Sequence, residues 1–151
     1  MKPLVILLLA ASSLVRVAAD PVTRVYSLPP DQSEFNSYYN GKQYKFIITE
    51  AEQARCPKWD PRTAPNPPYS AAKALEQARQ FIGTIATKNN TFWKFQDLAL
   101  VDVSGGWAWR ARYTLTLPGP STGAWPTMDC WILMDGTVIK PKLRKDEGNM
   151  Y

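Results

Sequence analysis

The chain has 151 residues with 18 basic and 13 acidic side chains, a net charge of +5, and no histidine. That charge is too weak and too scattered for nucleic-acid binding. The missing histidine removes Ser-His-Asp and Cys-His nucleophile pairs, the commonest general base and the commonest zinc ligand.

Residues 1–19 read as a signal peptide. Lys2 gives a positive start, Leu4 to Val15 is a short apolar run, and Val17-Ala18-Ala19 supplies small residues before Asp20. The run is too short to span a bilayer, Arg16 breaks it, and no later stretch is long enough. The expectation is a secreted or periplasmic protein with no integral membrane segment after signal removal. Loss of Lys2 and Arg16 leaves 16 basic against 13 acidic side chains, or +3. Residues 20–151 are then expected to form one domain: an N-terminal part, 20–69, and an α+β core, 70–151.

Asp20 to Gly41 is polar and aromatic without periodicity and is expected to lie as an irregular arm. Lys42 to Thr49 has the Tyr, Phe and Ile content of a strand. Thr49-Glu-Ala-Glu52 matches a capping box, so a short helix through Arg55 follows, ended by Pro57. Cys56 to Tyr69 holds five prolines in fourteen residues and is expected to run as an extended, polyproline-like connector. Ser70 caps the one strong helix, Ala71 to Lys88, whose Ala71, Ala74, Leu75, Ala78, Ile82 and Ile85 recur at three and four. Asn89-Asn90-Thr91 is a glycosylation sequon, a pattern common by chance.

Four strands are predicted next. Leu98 to Val103 is apolar and ends at Gly105-Gly106. Trp107 to Leu117 alternates, with Trp107, Trp109, Ala111, Tyr113 and Leu115 on one face and Ala108, Arg110, Arg112 and Thr114 on the other. Pro118 to Pro126 is a Gly/Pro loop. Thr127 to Met134 and Thr137 to Lys142 then form a hairpin around Asp135-Gly136. A two-residue turn would set Ile132 against Ile139 and Leu133 against Val138. Cys130, Ile132 and Ile139 would share one face, and Trp131, Leu133 and Val138 the other.

One helix covers only one of these faces. The second is expected to be closed by the N-terminal arm with the connector, by a second subunit, or by a ligand. Pro141 marks the last strand as an edge. The basic residues around it, Lys140, Lys142, Arg144 and Lys145, read first as protection against edge pairing and only then as a binding patch.

Cys56 and Cys130 are expected to form a disulfide in an oxidising compartment, contributing roughly 4 kcal/mol by loop closure. The alternative is two separately buried thiols. Carboxylates are the surviving catalytic option, with Asp97, Asp102, Asp129 and Asp135 as candidates. Asp135 is absorbed by its turn, and Asp129 is expected to pair with Arg110 or Arg112 across strands. No metal or cofactor is expected. Trp59 and Trp125, both in loops, are the candidates for an exposed platform that would stack on sugar rings. Trp131, Arg110, Arg112 and Lys140 complete the candidate binding surface.

The order of one helix followed by an antiparallel meander, over Ser70 to Lys145, resembles cystatin-like and PepSY-like α+β domains, with the Pro-rich insert as a departure. That resemblance implies an exported module associated with protease binding or inhibition and carries over no site residues. The runs Trp107 to Tyr113 and Leu133 to Pro141 also look like small exported bacterial proteins of unassigned function. The expected fold is therefore α+β, one main helix on a four-stranded antiparallel sheet. The expected function is a non-catalytic module that binds a protein partner or a second copy through its sheet. A glycan-binding module is the alternative, and a carboxylate hydrolase a distant third.

Overall fold

The structure is a computed structural model. It describes residues 23–27 (as backbone), 34–87, 91–103, 105–116 and 125–145. The expected leader over 1–19, the helix end at Lys88, Asn89-Asn90 of the sequon, Leu117 and most of the 118–126 loop lie outside them. In chain order the elements are β1 (Thr23–Ser27), β2 (Glu34–Tyr39), β3 (Lys42–Ile47), α1 (Glu50–Arg55), α2 (Ala71–Gly83), β4 (Phe92–Val103), β5 (Gly106–Thr116), β6 (Thr127–Leu133) and β7 (Lys142–Lys145). The fold is α+β and mostly strand.

The locally encoded helices start where they were read, and α2 ends earlier than expected. Thr49 caps α1, and both halves of its box with Glu52 are made. Ser70 accepts from the Lys73 N–H to start α2. Ala74, Ala78 and Ile82 are the buried stripe of α2, and the two alanines let it lie close to the sheet. The helix stops at Gly83, where Thr84 caps it, so Ile85 lies past its end.

The predicted single sheet is corrected to two. β4, β5 and β6 form an antiparallel meander, and β1 joins its edge running parallel to β4. β2, β3 and β7 form a separate three-stranded antiparallel sheet. The segment read as an irregular arm therefore supplies two strands. Its overlooked signal is Asn40-Gly41, where both residues have positive φ, 54° and 64°. That is the geometry of a type I′ hairpin turn, which the Asn-Gly pair favours.

The Asp135-Gly136 hairpin is also corrected. Gly136 N donates to Leu133 O and Leu133 N to Thr137 O, both at 2.9 Å, so Met134, Asp135 and Gly136 make a three-residue loop. Gly136 closes it at φ 89°, the usual bulge position of such loops. One extra loop residue moves the register by one. Ile132 now opposes Val138, and Ile139 N donates to Trp131 O. Val138 and Ile139 thus exchange faces relative to the sequence reading. The pairing is a single bridge, and after Pro141, which cannot donate to a ladder, the chain crosses to the second sheet as β7.

Each face of the meander meets its own cover. Trp109, Tyr113 and Trp93 share a face with Cys130 and Ile132, by their register. α2 lies there: Trp109 Nε1 donates to Tyr69 O just before the helix (2.7 Å), and Trp93 Nε1 donates to Ile85 O just after it (3.3 Å). On the opposite face Phe35 of β2 stacks on Trp131, with centroids 3.9 Å apart and planes at 22°. Ser37, one pleat along, accepts from the Asp129 backbone N–H at the free edge of β6. The same small sheet also reaches the α2 side, where Phe46 of β3 meets Phe81 of α2 edge-on and Tyr39 meets Trp93 likewise. The arm is the cover, and it comes as a folded sheet.

The two cysteines are not joined. Both are free, with Cys130 fully buried and Cys56 half-buried. Cys56 lies beside the Met134 and Asp135 backbone. That places it just past the end of β6, four residues on from Cys130, about 13 Å at the rise of a strand and beyond the reach of a disulfide.

Candidate functional site

The candidate site lies at the end of the meander where β4 turns into β5. The connector does not run fully extended there. Asp60 accepts backbone N–H bonds from Thr63 and Ala64 through its carbonyl, and its carboxylate takes the Arg62 backbone N–H together with Nε and Nη2 of the Arg62 guanidinium at 2.7–3.1 Å. This turn carries Trp59, whose Nε1 donates to Ala64 O at 3.0 Å. The indole is pinned by its polar end and set edge-on against Trp107, with centroids 5.8 Å apart and planes at 76°. Neighbouring Arg62 holds the Asp60 carboxyl below its usual range.

Between the connector, α1 and the β4–β5 turn runs an open groove of about 1140 Å³. Trp59 and Trp107 line it, with Arg62, Asp102 and Glu50 among its charged groups. Cys56, Pro57 and Met134 supply an apolar stretch, and Gln53 of α1 stands in the wall beside Gly106. A Cβ on Gly106 would sit 2.6 Å from the Gln53 carboxamide oxygen. The Gln53 carboxamide therefore fills the space a side chain at position 106 would take.

Few of the sequence-predicted residues meet here. Trp59 does. Trp125 is half-buried and does not line the groove, so the two loop tryptophans form no common platform. Trp107, read from its alternation as core, is the ring that joins Trp59. Trp131 is 2% exposed and lies under Phe35, which removes it from any surface. Lys140 is exposed, apart from the groove.

The charged candidates are tied up across strands. Arg112 grips Asp129 with two bonds of 2.8 and 2.9 Å, the pairing read from the sequence. Arg110 bonds Asp97 at 3.2 Å. Asp135 Oδ1 accepts from Thr137 N in its loop. Of the four carboxylates considered for catalysis, only Asp102 borders the groove. Among the described residues no three of Cys, Asp and Glu are grouped to hold a metal ion, and no helix is long and apolar enough to cross a membrane.

Both thiols are held protonated. Burial, then the Asp129 carboxylate, pushes Cys130 up to about 12. Burial also raises Cys56. Neither is poised as a nucleophile. Comparison of the chain with protein families, with curated proteins and with solved structures finds no match.

Proposed function

We propose that this protein is an exported, non-catalytic binding module that takes a carbohydrate chain in the groove beside Trp59 and Trp107. The observation that carries this reading is the Trp59–Trp107 pair itself. One ring comes from a loop braced by its own turn and the other from a rigid strand, and both border a groove wide enough for more than one sugar ring. Pockets of roughly 300–1,000 Å³ suit a single compact ligand, and this groove is larger. Flat indole faces suit the apolar faces of pyranose rings, while Asp102, Glu50 and the Asp60–Arg62 pair offer the polar rim that hydroxyls need.

A partner bound through the second face of the meander is favoured less than the groove, because Phe35 already stacks on Trp131 there. A catalytic role has little support either. Of the carboxylates considered from the sequence, Asp97 and Asp129 are committed to arginines, and of the two acids that border the groove with Asp102, Asp60 is held by Arg62.

The test is a tryptophan-fluorescence titration of the protein with soluble glucans and amino-sugar oligomers. Binding should shift the emission and protect it from acrylamide quenching. Trp59→Ala should abolish both effects while leaving the melting temperature within a few degrees, since that ring is only half-buried. Unchanged spectra across the whole glycan panel would remove the proposal.

A further inference from the structure

β7 is an outer strand of the small sheet, and among the described residues β3 is its one ladder partner. Tyr39 and Lys42 flank the two-residue Asn40-Gly41 turn and so exchange both backbone bonds. Alternation from there turns the N–H and C=O groups of Lys142 and Arg144 toward β3 and those of Leu143 outward. The side chains alternate as well. Leu143 stands in register with Tyr44 and Ser37, both buried, yet is itself 57% exposed. Lys142 and Arg144 are exposed on the other face, in register with Lys45 and Gln43.

We infer that this edge takes an acidic, extended segment of a partner protein as a fourth strand, antiparallel to β7. An apolar side chain lies opposite Leu143, and carboxylates lie opposite Lys142 and Arg144. The outward backbone of Leu143 is what an added strand bonds. Leu143 lacks the cover that Tyr44 and Ser37 have, and an apolar residue opposite it supplies that cover. The charges on either side of it are both positive. Glu34, the one acid in these three strands, is bonded to Lys45 at 2.6 Å, so a surplus of positive charge stays on this face. A second copy fits poorly. Pairing antiparallel about Leu143 would set each Lys142 opposite an Arg144, and like charges directly opposite destabilise a ladder. The cations that deter self-pairing thus favour an acidic strand.

Calorimetric titration of the full chain with a capped pentapeptide alternating glutamate and valine tests this, beside its lysine–valine analogue and two N-methylated forms. The valine opposite Leu143 exchanges both backbone bonds with it, whereas the glutamates turn theirs to solvent. The acidic peptide should bind at least tenfold more tightly than the basic one. Methylating the valine nitrogens should weaken binding at least tenfold, and methylating the glutamate nitrogens less than threefold. Arg144→Glu should also weaken it at least tenfold while the melting temperature stays within a few degrees.

Equal affinity for the acidic and basic peptides would overturn the acidic partner. Any other pattern among the methylated peptides would overturn the antiparallel added strand, and no binding of any peptide would overturn both. Leu143→Pro removes the outward donor and no bond to β3. A dimer in light scattering that this change splits would give the edge to a second copy instead.

Discussion

At the scale of single residues, the interior keeps two polar groups in different ways. Asp129 is 9% exposed, and its charge is met by the bidentate Arg112. Removing Arg112 strands that carboxylate, so Arg112→Ala should cost about 2 kcal/mol. That is below the 3–5 of a fully buried pair, because the guanidinium is 38% exposed. Arg112→Lys should restore less than half, since a single ammonium cannot make both bonds. Urea unfolding of the two variants checks this. Tyr113 keeps a buried hydroxyl without a partner, so Tyr113→Phe should stabilise by about 1 kcal/mol at neutral pH.

Tyr113 and Cys130 also set an alkaline limit. Burial raises both to about 12, from ordinary values of 10.0 and 9.0. Each is neutral when protonated, and the fold favours that form. The stability they lend is complete below pH 9 and fades as pH rises through 9 to 12. Melting curves from pH 7 to 11.5 should show this loss, and Tyr113→Phe should make its upper part, from pH 10, shallower.

At the scale of elements, two glycines separate backbone strain from crowding. Gly41 has φ 64° and open space where a Cβ would go, whereas Gly136 has φ 89° and the Tyr69 ring 2.7 Å from that point. Gly41→Ala should therefore cost about 1 kcal/mol from conformation alone. Gly136→Ala should cost about 3 kcal/mol, because overlap with Tyr69 is added. Tyr69 also holds the Trp109 indole through its carbonyl, so the second change disturbs the start of α2 as well. Chemical denaturation of both variants measures the gap.

Elements whose reasons are local were legible in the sequence. Ser70 with its alternating helix, the Thr49–Glu52 box and the alternation from Trp107 to Leu115 are each decided within a few residues. Partners decided at long range were not. Lys142 to Lys145 pairs with residues a hundred positions earlier, and no pattern in those four residues names β3. The Asp-Gly pair signalled a turn but not its length, and one residue of length decided which face Val138 and Ile139 take. Of the groove, Trp59 was legible as a loop ring. Trp107 and Gln53 were not, since a strand alternation and a helix position say nothing about what the connector brings beside them.

At the scale of the whole molecule, stability depends on sheet packing and not on a covalent tie. Because Cys56 and Cys130 are free and far apart, a reducing agent should leave the denaturation midpoint unchanged, and a shift on reduction would contradict the structure. Phe35→Ala should instead cost about 3 kcal/mol, by removing the ring that closes the Trp131 face.

The crossing at Pro141 ties these parts together. Within the five residues from Val138 to Lys142 the backbone leaves its bridge to Ile132 and enters its ladder with Lys45. There is no slack there for one sheet to swing open while the other stays shut. Tension applied at β7 would pass directly to the β6 edge, and amide exchange in β3 and β6 should be released by a shared opening event. Motion that admits a ligand would then be confined to the connector, leaving the scaffold behind the groove to behave as one stiff piece.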